Sequence, residues 1–165
     1  MKNLLVVSLL ITSTVLFAQT EELLHQADNE FSKGQYENCI GTYGQVIQAD
    51  PGNLNAHIQR GLALSITGNY EDAIADFSHV LSERPELVAV RNSRGTAYMK
   101  LKSYDKAISD FNEVLSSDNQ NQEAYNNRGW CKKHKGDDKG ACADWKQSKK
   151  LGNGEAKIIL KNNGC

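Results

Sequence analysis

Cys131, Lys132, Lys133 and His134 set a thiol and an imidazole three residues apart, and Cys142 follows on the same stretch of chain. Donors so spaced can share one helical face, which is the geometry of transition-metal ligation. The two intervening lysines oppose a bound cation, however, and the chain holds neither a Cys-x-x-Cys pair nor a His-Glu-x-x-His run, so no metal is expected. Acyl and phosphoryl chemistry lack their signatures as well: there is no Gly-x-Ser-x-Gly elbow and no phosphate-cradling glycine loop. No catalytic residue, cofactor or enzymatic activity is therefore expected.

The charged residues that do recur have a different character. Arg60, Arg94 and Arg128 are each followed sixteen residues later by an aspartate, Asp76, Asp110 and Asp144. Arg60, Arg94 and Arg128 are 34 residues apart, and 34 residues before Arg60 and Asp76 stand Gln26 and Thr42, so the two charges are present or absent together. The guanidinium fork matches a carboxylate, which makes a structural pair joining two elements the expected role. A ligand-facing role for the arginines is the alternative.

The elements that must position these residues follow from a self-comparison, which shows a period of 34. Gly34, Gly68 and Gly136 share one phase, with Lys102 in the place of glycine in the third copy. Tyr36, Tyr70 and Tyr104 share a second, and Ala73, Ala107 and Ala141 a third. Tyr43, Phe77, Phe111 and Trp145 share a fourth, and Pro51 and Pro85 a fifth. A period of this length marks stacked supersecondary units. Within a copy, 55–67 reads as one helix, Gly68-Asn69 as a turn and 70–83 as a second helix, which Pro85 ends. Gly61, Gly95 and Gly129 fall where two helices approach closely.

Small residue, tyrosine, alanine, aromatic and proline at a period of 34 resemble the tetratricopeptide repeat family, exported bacterial type, over nearly the whole chain beyond residue 18. The resemblance implies an all-α fold: a right-handed α-solenoid of helix-turn-helix repeats with a C-terminal capping helix. The expected domain is 19–165, with repeats at about 20–53, 54–87, 88–121 and 122–155 and a capping helix at about 155–162. First helices of such an array line a concave face. The family geometry places Leu24, Asp28 and Phe31 there, then Ile58, Leu62 and Ser65, then Asn92, Thr96 and Met99, then Asn126, Trp130 and Lys133. Asparagine can clamp the main chain of a peptide, and Trp130 offers an anchoring surface. The basic clamp by which some family members hold a chain-terminal carboxylate is missing, since Leu24, Ile58 and Asp28 stand at its phases.

Four cysteines in an exported chain invite a disulfide. Cys142 and Cys165 are the expected pair, brought together if the last helix turns back, and the run from Gly140 to Trp145 with a closing cysteine resembles the ending of many exported bacterial repeat proteins. Cys131 is the rival partner, and Cys39 reads as a buried free thiol.

Export itself is read from residues 1–18. Lys2 precedes an apolar stretch from Leu4 to Phe17, about 14 residues long where a membrane span takes about 20, with cleavage expected near Ala18. A soluble periplasmic or secreted protein is expected, with no integral span after cleavage. At 39% hydrophobic and 24% charged residues with two prolines, the chain has the balance of a folded soluble domain. Residues 19–121 carry 8 Lys and Arg against 15 Asp and Glu, and residues 122–165 carry 10 against 5. An acidic body excludes nucleic acid as a partner. The expected function is a non-catalytic adaptor that binds a peptide or protein segment in the groove. The alternative is a structural or assembly component of an envelope complex, docking through its convex face or basic C-terminal end, with self-association as a further expectation; an enzyme's accessory subunit is a third.

Overall fold

A computed structural model describes residues 2–165, with side chains from Phe17 onward. The chain is built of helices α1 (Lys2–Ser32), α2 (Tyr36–Ala49), α3 (Leu54–Thr67), α4 (Tyr70–Glu83), α5 (Val88–Lys100), α6 (Tyr104–Ser117), α7 (Gln122–His134), α8 (Asp138–Lys150) and α9 (Gly154–Asn162). No strand occurs among the described residues. Most of the segment that carries the export expectation, up to Leu16, lies outside the described side chains. Among the described residues no helix is long and apolar enough to cross a membrane.

The period of the sequence is the period of the helices: α3, α5 and α7 begin 34 residues apart, as do α2, α4, α6 and α8. The turns within the hairpins explain the glycine phase. Gly34, Gly68 and Gly136 have φ of 72°, 86° and 84°, the left-handed conformation that costs glycine nothing. Lys102 takes the same conformation at φ 58°, the one non-glycine residue to do so among the described residues. Between copies, Pro51 and Pro85 follow the ends of α2 and α4, where no further amide can be donated. Asn53, Asn121 and Asn153 restart the chain as N-caps, each accepting a hydrogen bond from the amide three residues on, at 3.0, 3.0 and 3.1 Å.

The chain divides into two compact units, residues 1–69 and residues 70–165. In the first, α2 packs against both α1 and α3. Ala27, Cys39, Tyr43, Val46, Ala56 and Ala63 form its buried core, with Leu23, Leu24, Phe31, Tyr36, Ile40 and Ile47 partly buried around it. The arginine–aspartate pair is absent from α1 and α2, and Glu30 takes its place. That carboxylate accepts from Gln26 Nε2 at 2.8 Å and from Thr42 Oγ1 at 2.7 Å, the two residues at the vacated phases.

In the second unit each helix from α4 to α9 packs against the next. Ala107, Phe111, Val114, Leu115, Ala124 and Cys131 are buried in one cluster, and Ala141, Trp145 and Ile159 in another. A disulfide joins Cys142 of α8 to Cys165 just past α9, with their Cα atoms 5.6 Å apart. Cys39 and Cys131 are buried free thiols. Burial pushes the Cys131 thiol up to about 12 and raises that of Cys39, aided there by the negative charge of Glu30.

Candidate functional site

Two rigid nodes hold the helices that line the site. Arg94 donates from Nε to Asp110 Oδ2 at 2.9 Å and from Nη2 to Oδ1 at 2.7 Å. Arg128 repeats this on Asp144 at 2.9 and 2.7 Å. The pairs are bidentate, and both aspartates are 4% exposed, so the arginine supplies the charge that makes their burial tolerable. Each arginine has a further bond that the sequence pattern did not disclose. Arg94 Nη1 donates to Ser78 Oγ at 3.2 Å, and Arg128 Nη1 to Asn112 Oδ1 at 2.7 Å. Ser78 and Asn112 share a phase on the second helix of the preceding repeat, so one guanidinium ties three helices. Asp76 of the second unit is buried as well, whereas Arg60 of the first is partly exposed.

Packing in the α7–α8 hairpin is tighter than in the α5–α6 hairpin because Trp145 stands where that copy has Phe111. A Cβ on Gly129 would lie 2.6 Å from Trp145 Nε1 and 2.8 Å from its Cδ1. The fully buried indole donates to the main-chain oxygen of Asn126 at 3.2 Å and meets Trp130 edge-on, with ring centroids 5.2 Å apart.

Against this support lies a concavity of about 330 Å³ within the second unit, lined by Met99, Lys100, Tyr104, Asn126, Asn127, Trp130, His134 and Glu155. Three of its eight lining side chains are rings, Tyr104, Trp130 and His134, among mostly polar neighbours. Tyr104 and His134 stack at 5.0 Å with planes 3° apart, and Trp130 lies 6.2 Å from His134. Its polar groups are partly engaged already: Asn127 Nδ2 donates to Thr96 Oγ1 at 3.4 Å, and Thr96 donates to the Asn92 carbonyl at 3.0 Å.

The residues anticipated for the groove are distributed unequally. Met99, Asn126 and Trp130 come together in this concavity, and Thr96 supports it through Asn127. Asn126 is no open clamp, however: it is 4% exposed, its amide donates to Glu155 of α9 at 3.2 Å, and its Oδ1 is buried without a partner. Asn92 likewise buries an unpartnered Oδ1. Lys133 turns away to Asp138 at 2.8 Å. Ile58 and Leu62 are partly buried in the first unit, where Leu24 and Phe31 pack on the core and Asp28 accepts the Tyr43 hydroxyl at 2.6 Å. Lys100, Tyr104, Asn127, His134 and Glu155 were not anticipated. Asn127, Trp130 and His134 do stand at helical i, i+3, i+7 spacing, and Lys100 and His134 share a repeat phase, which is the signal that marks them. No three His, Cys, Asp or Glu side chains are grouped to hold a metal among the described residues.

The family model described as tetratricopeptide repeat matches residues 24–88 and 67–124, more than half of the chain. The chain belongs to the tetratricopeptide repeat family. Solved structures agree on the fold. MamA from Desulfovibrio magneticus RS-1 superposes with a TM-score of 0.77 at 19% identity, over 80% of this chain and 75% of that one. A tetratricopeptide repeat protein from Parabacteroides merdae gives 0.76 at 19% identity, over 84% of this chain and 56% of that one. At such identity the likeness shows the all-α solenoid fold alone. A comparison with curated protein sequences finds no match. A tetratricopeptide array is a fold of protein–protein interaction, and its hairpins account for every recurrent phase described above.

Proposed function

We propose that this tetratricopeptide protein is a non-catalytic adaptor that captures a peptide or protein segment in the concavity of its second unit. The observation that carries this reading is the joining of aromatic walls, Tyr104, Trp130 and His134, to polar groups, Lys100, Asn127 and Glu155, around about 330 Å³. That volume suits a few ligand side chains. The aromatic rings supply anchoring area at little entropic cost, and the flanking amide and charges orient the main chain. The nodes at Arg94 and Arg128 tie helices together and are not among the side chains that line the concavity.

Export to an oxidising compartment belongs to the same proposal, with cleavage near Ala18. The Cys142–Cys165 disulfide supports it, because such bonds persist outside the reducing cytoplasm.

The test is a peptide-array screen followed by titration of the best binder. Lys100→Ala with His134→Ala, two exposed positions, is expected to weaken binding at least tenfold while the melting temperature stays within a few degrees. Trp130→Ala is expected to weaken it further. A binder indifferent to all three changes removes the concavity from the proposal. Affinity carried by aromatic contacts is also expected to persist at high salt.

A further inference from the structure

The second unit carries a strongly charged surface that the groove reading does not use. Between α8 and α9 lies an open depression of about 540 Å³ whose walls include Lys146, Lys149, Lys150, Lys157 and Lys161, with Leu160 and Cys165 among them and no Asp or Glu side chain. A neighbouring depression of about 510 Å³ shares Lys146 and adds Lys139. Asp138, the carboxylate at that second depression, is taken by Lys133. Elsewhere in the unit Lys132 pairs with Asp144 and Lys135 with Asp105. Among the described residues none of the six lysines on the α8–α9 surface has a salt-bridge partner.

Three features say what such a surface suits. All six cations are lysines. Arginine's planar fork is the group that recognises a particular carboxylate or phosphate, whereas a lysine on a flexible stem responds to the field of a diffuse negative surface. Next, Ile158 is 63% exposed on α9, the residue after Lys157, and an exposed apolar side chain on a lysine-bearing helix can enter a headgroup layer while the lysines remain in it. Finally, the disulfide fastens the end of α9 to α8, so the charges are held side by side although they repel one another. No buried polar group or aromatic anchor accompanies them, as docking of one defined protein segment would require.

We propose that the α8–α9 lysine surface seats the protein on an anionic lipid bilayer, independently of ligand capture in the concavity. The bilayer supplies the counter-charge that the fold itself omits, and each lysine that reaches it strengthens partitioning about fivefold.

The experiment measures co-sedimentation of the full chain with phosphatidylcholine vesicles and with vesicles containing ~30% phosphatidylglycerol, at low and high salt. The readout is the anionic-to-neutral binding ratio, to which the N-terminal apolar segment contributes equally in every variant. Lys157→Gln with Lys161→Gln is expected to lower the ratio about 25-fold. Adding Lys149→Gln and Lys150→Gln is expected to bring it close to one, as high salt does for the unaltered protein. Helicity by circular dichroism is expected to be unchanged, these side chains being exposed. The Lys100→Ala, His134→Ala protein is expected to keep the full ratio, which separates this surface from the groove. A ratio near one for the unaltered chain overturns the proposal, and so does a ratio that the lysine changes leave alone. Tight binding of poly-aspartate without any preference for anionic vesicles overturns it in favour of an acidic polypeptide.

Discussion

Lys102 holds a backbone conformation, φ 58°, that its counterparts Gly34, Gly68 and Gly136 adopt without a Cβ. The strain costs about 1–2 kcal/mol, and glycine's extra freedom in the unfolded chain returns part of it, so Lys102→Gly is expected to stabilise by about 0.5–1 kcal/mol in urea denaturation. The opposite sign is expected at Gly129, where an alanine Cβ would strike the Trp145 ring, so Gly129→Ala is expected to cost about 1–3 kcal/mol. Breaking the Arg94 node leaves Asp110 buried with only the more distant Arg91, at 3.9 Å, as counter-charge. Arg94→Met is expected to cost about 3 kcal/mol and to leave ligand affinity unchanged, while Arg94→Met with Asp110→Leu recovers most of the loss. The pairing of arginine with aspartate was legible because both phases are filled or emptied together along the chain. The third leg, at Ser78 and Asn112, was not, because a guanidinium N–H donates equally well to a hydroxyl or an amide oxygen and so leaves no fixed residue type to read.

Helices were the most legible level, since a 34-residue period with a glycine turn and a terminal proline leaves each copy one arrangement that buries its apolar face. The last helix is the exception that needs a fastening. α9 has nine residues, too few to persist alone in water, and its buried contact is made by Ala156 and Ile159. The disulfide supplies the restraint by closing a loop of sequence separation 23. Cys165→Ser is expected to cost about 3 kcal/mol and to speed amide exchange in α9 above all, as measured by hydrogen exchange. Loosening α9 also withdraws Glu155 from Asn126, so the same variant is expected to alter ligand affinity at the concavity. Reducing agent should reproduce both effects in the unaltered protein.

At the scale of the molecule, pH is expected to act at the alkaline end. Cys131 ordinarily ionises near 9.0 and is pushed up to about 12 by burial; Cys39 and Tyr43 are raised too, Tyr43 by burial and by its bond to Asp28. The fold favours the neutral forms, so this contribution is fully present below the unfolded values and is lost as pH rises from 9 towards 12. The urea midpoint is expected to fall between pH 8 and pH 10.5, and Cys131→Ala should flatten the decline. By itself the sequence determined the hairpin, its period, its turns and the residues spent on packing, because these rest on contacts between residues a few positions or one helix apart. Tertiary structure alone decided that Glu155 closes over Asn126 and that Lys133 leaves the concavity for Asp138. It alone gathered the lysines of α8 and α9 on one unpaired surface. The physical reason is that the seating of α8 on α7 and of α9 on α8 depends on side-chain volumes, such as Trp145 against Gly129, and on a disulfide that no periodicity encodes.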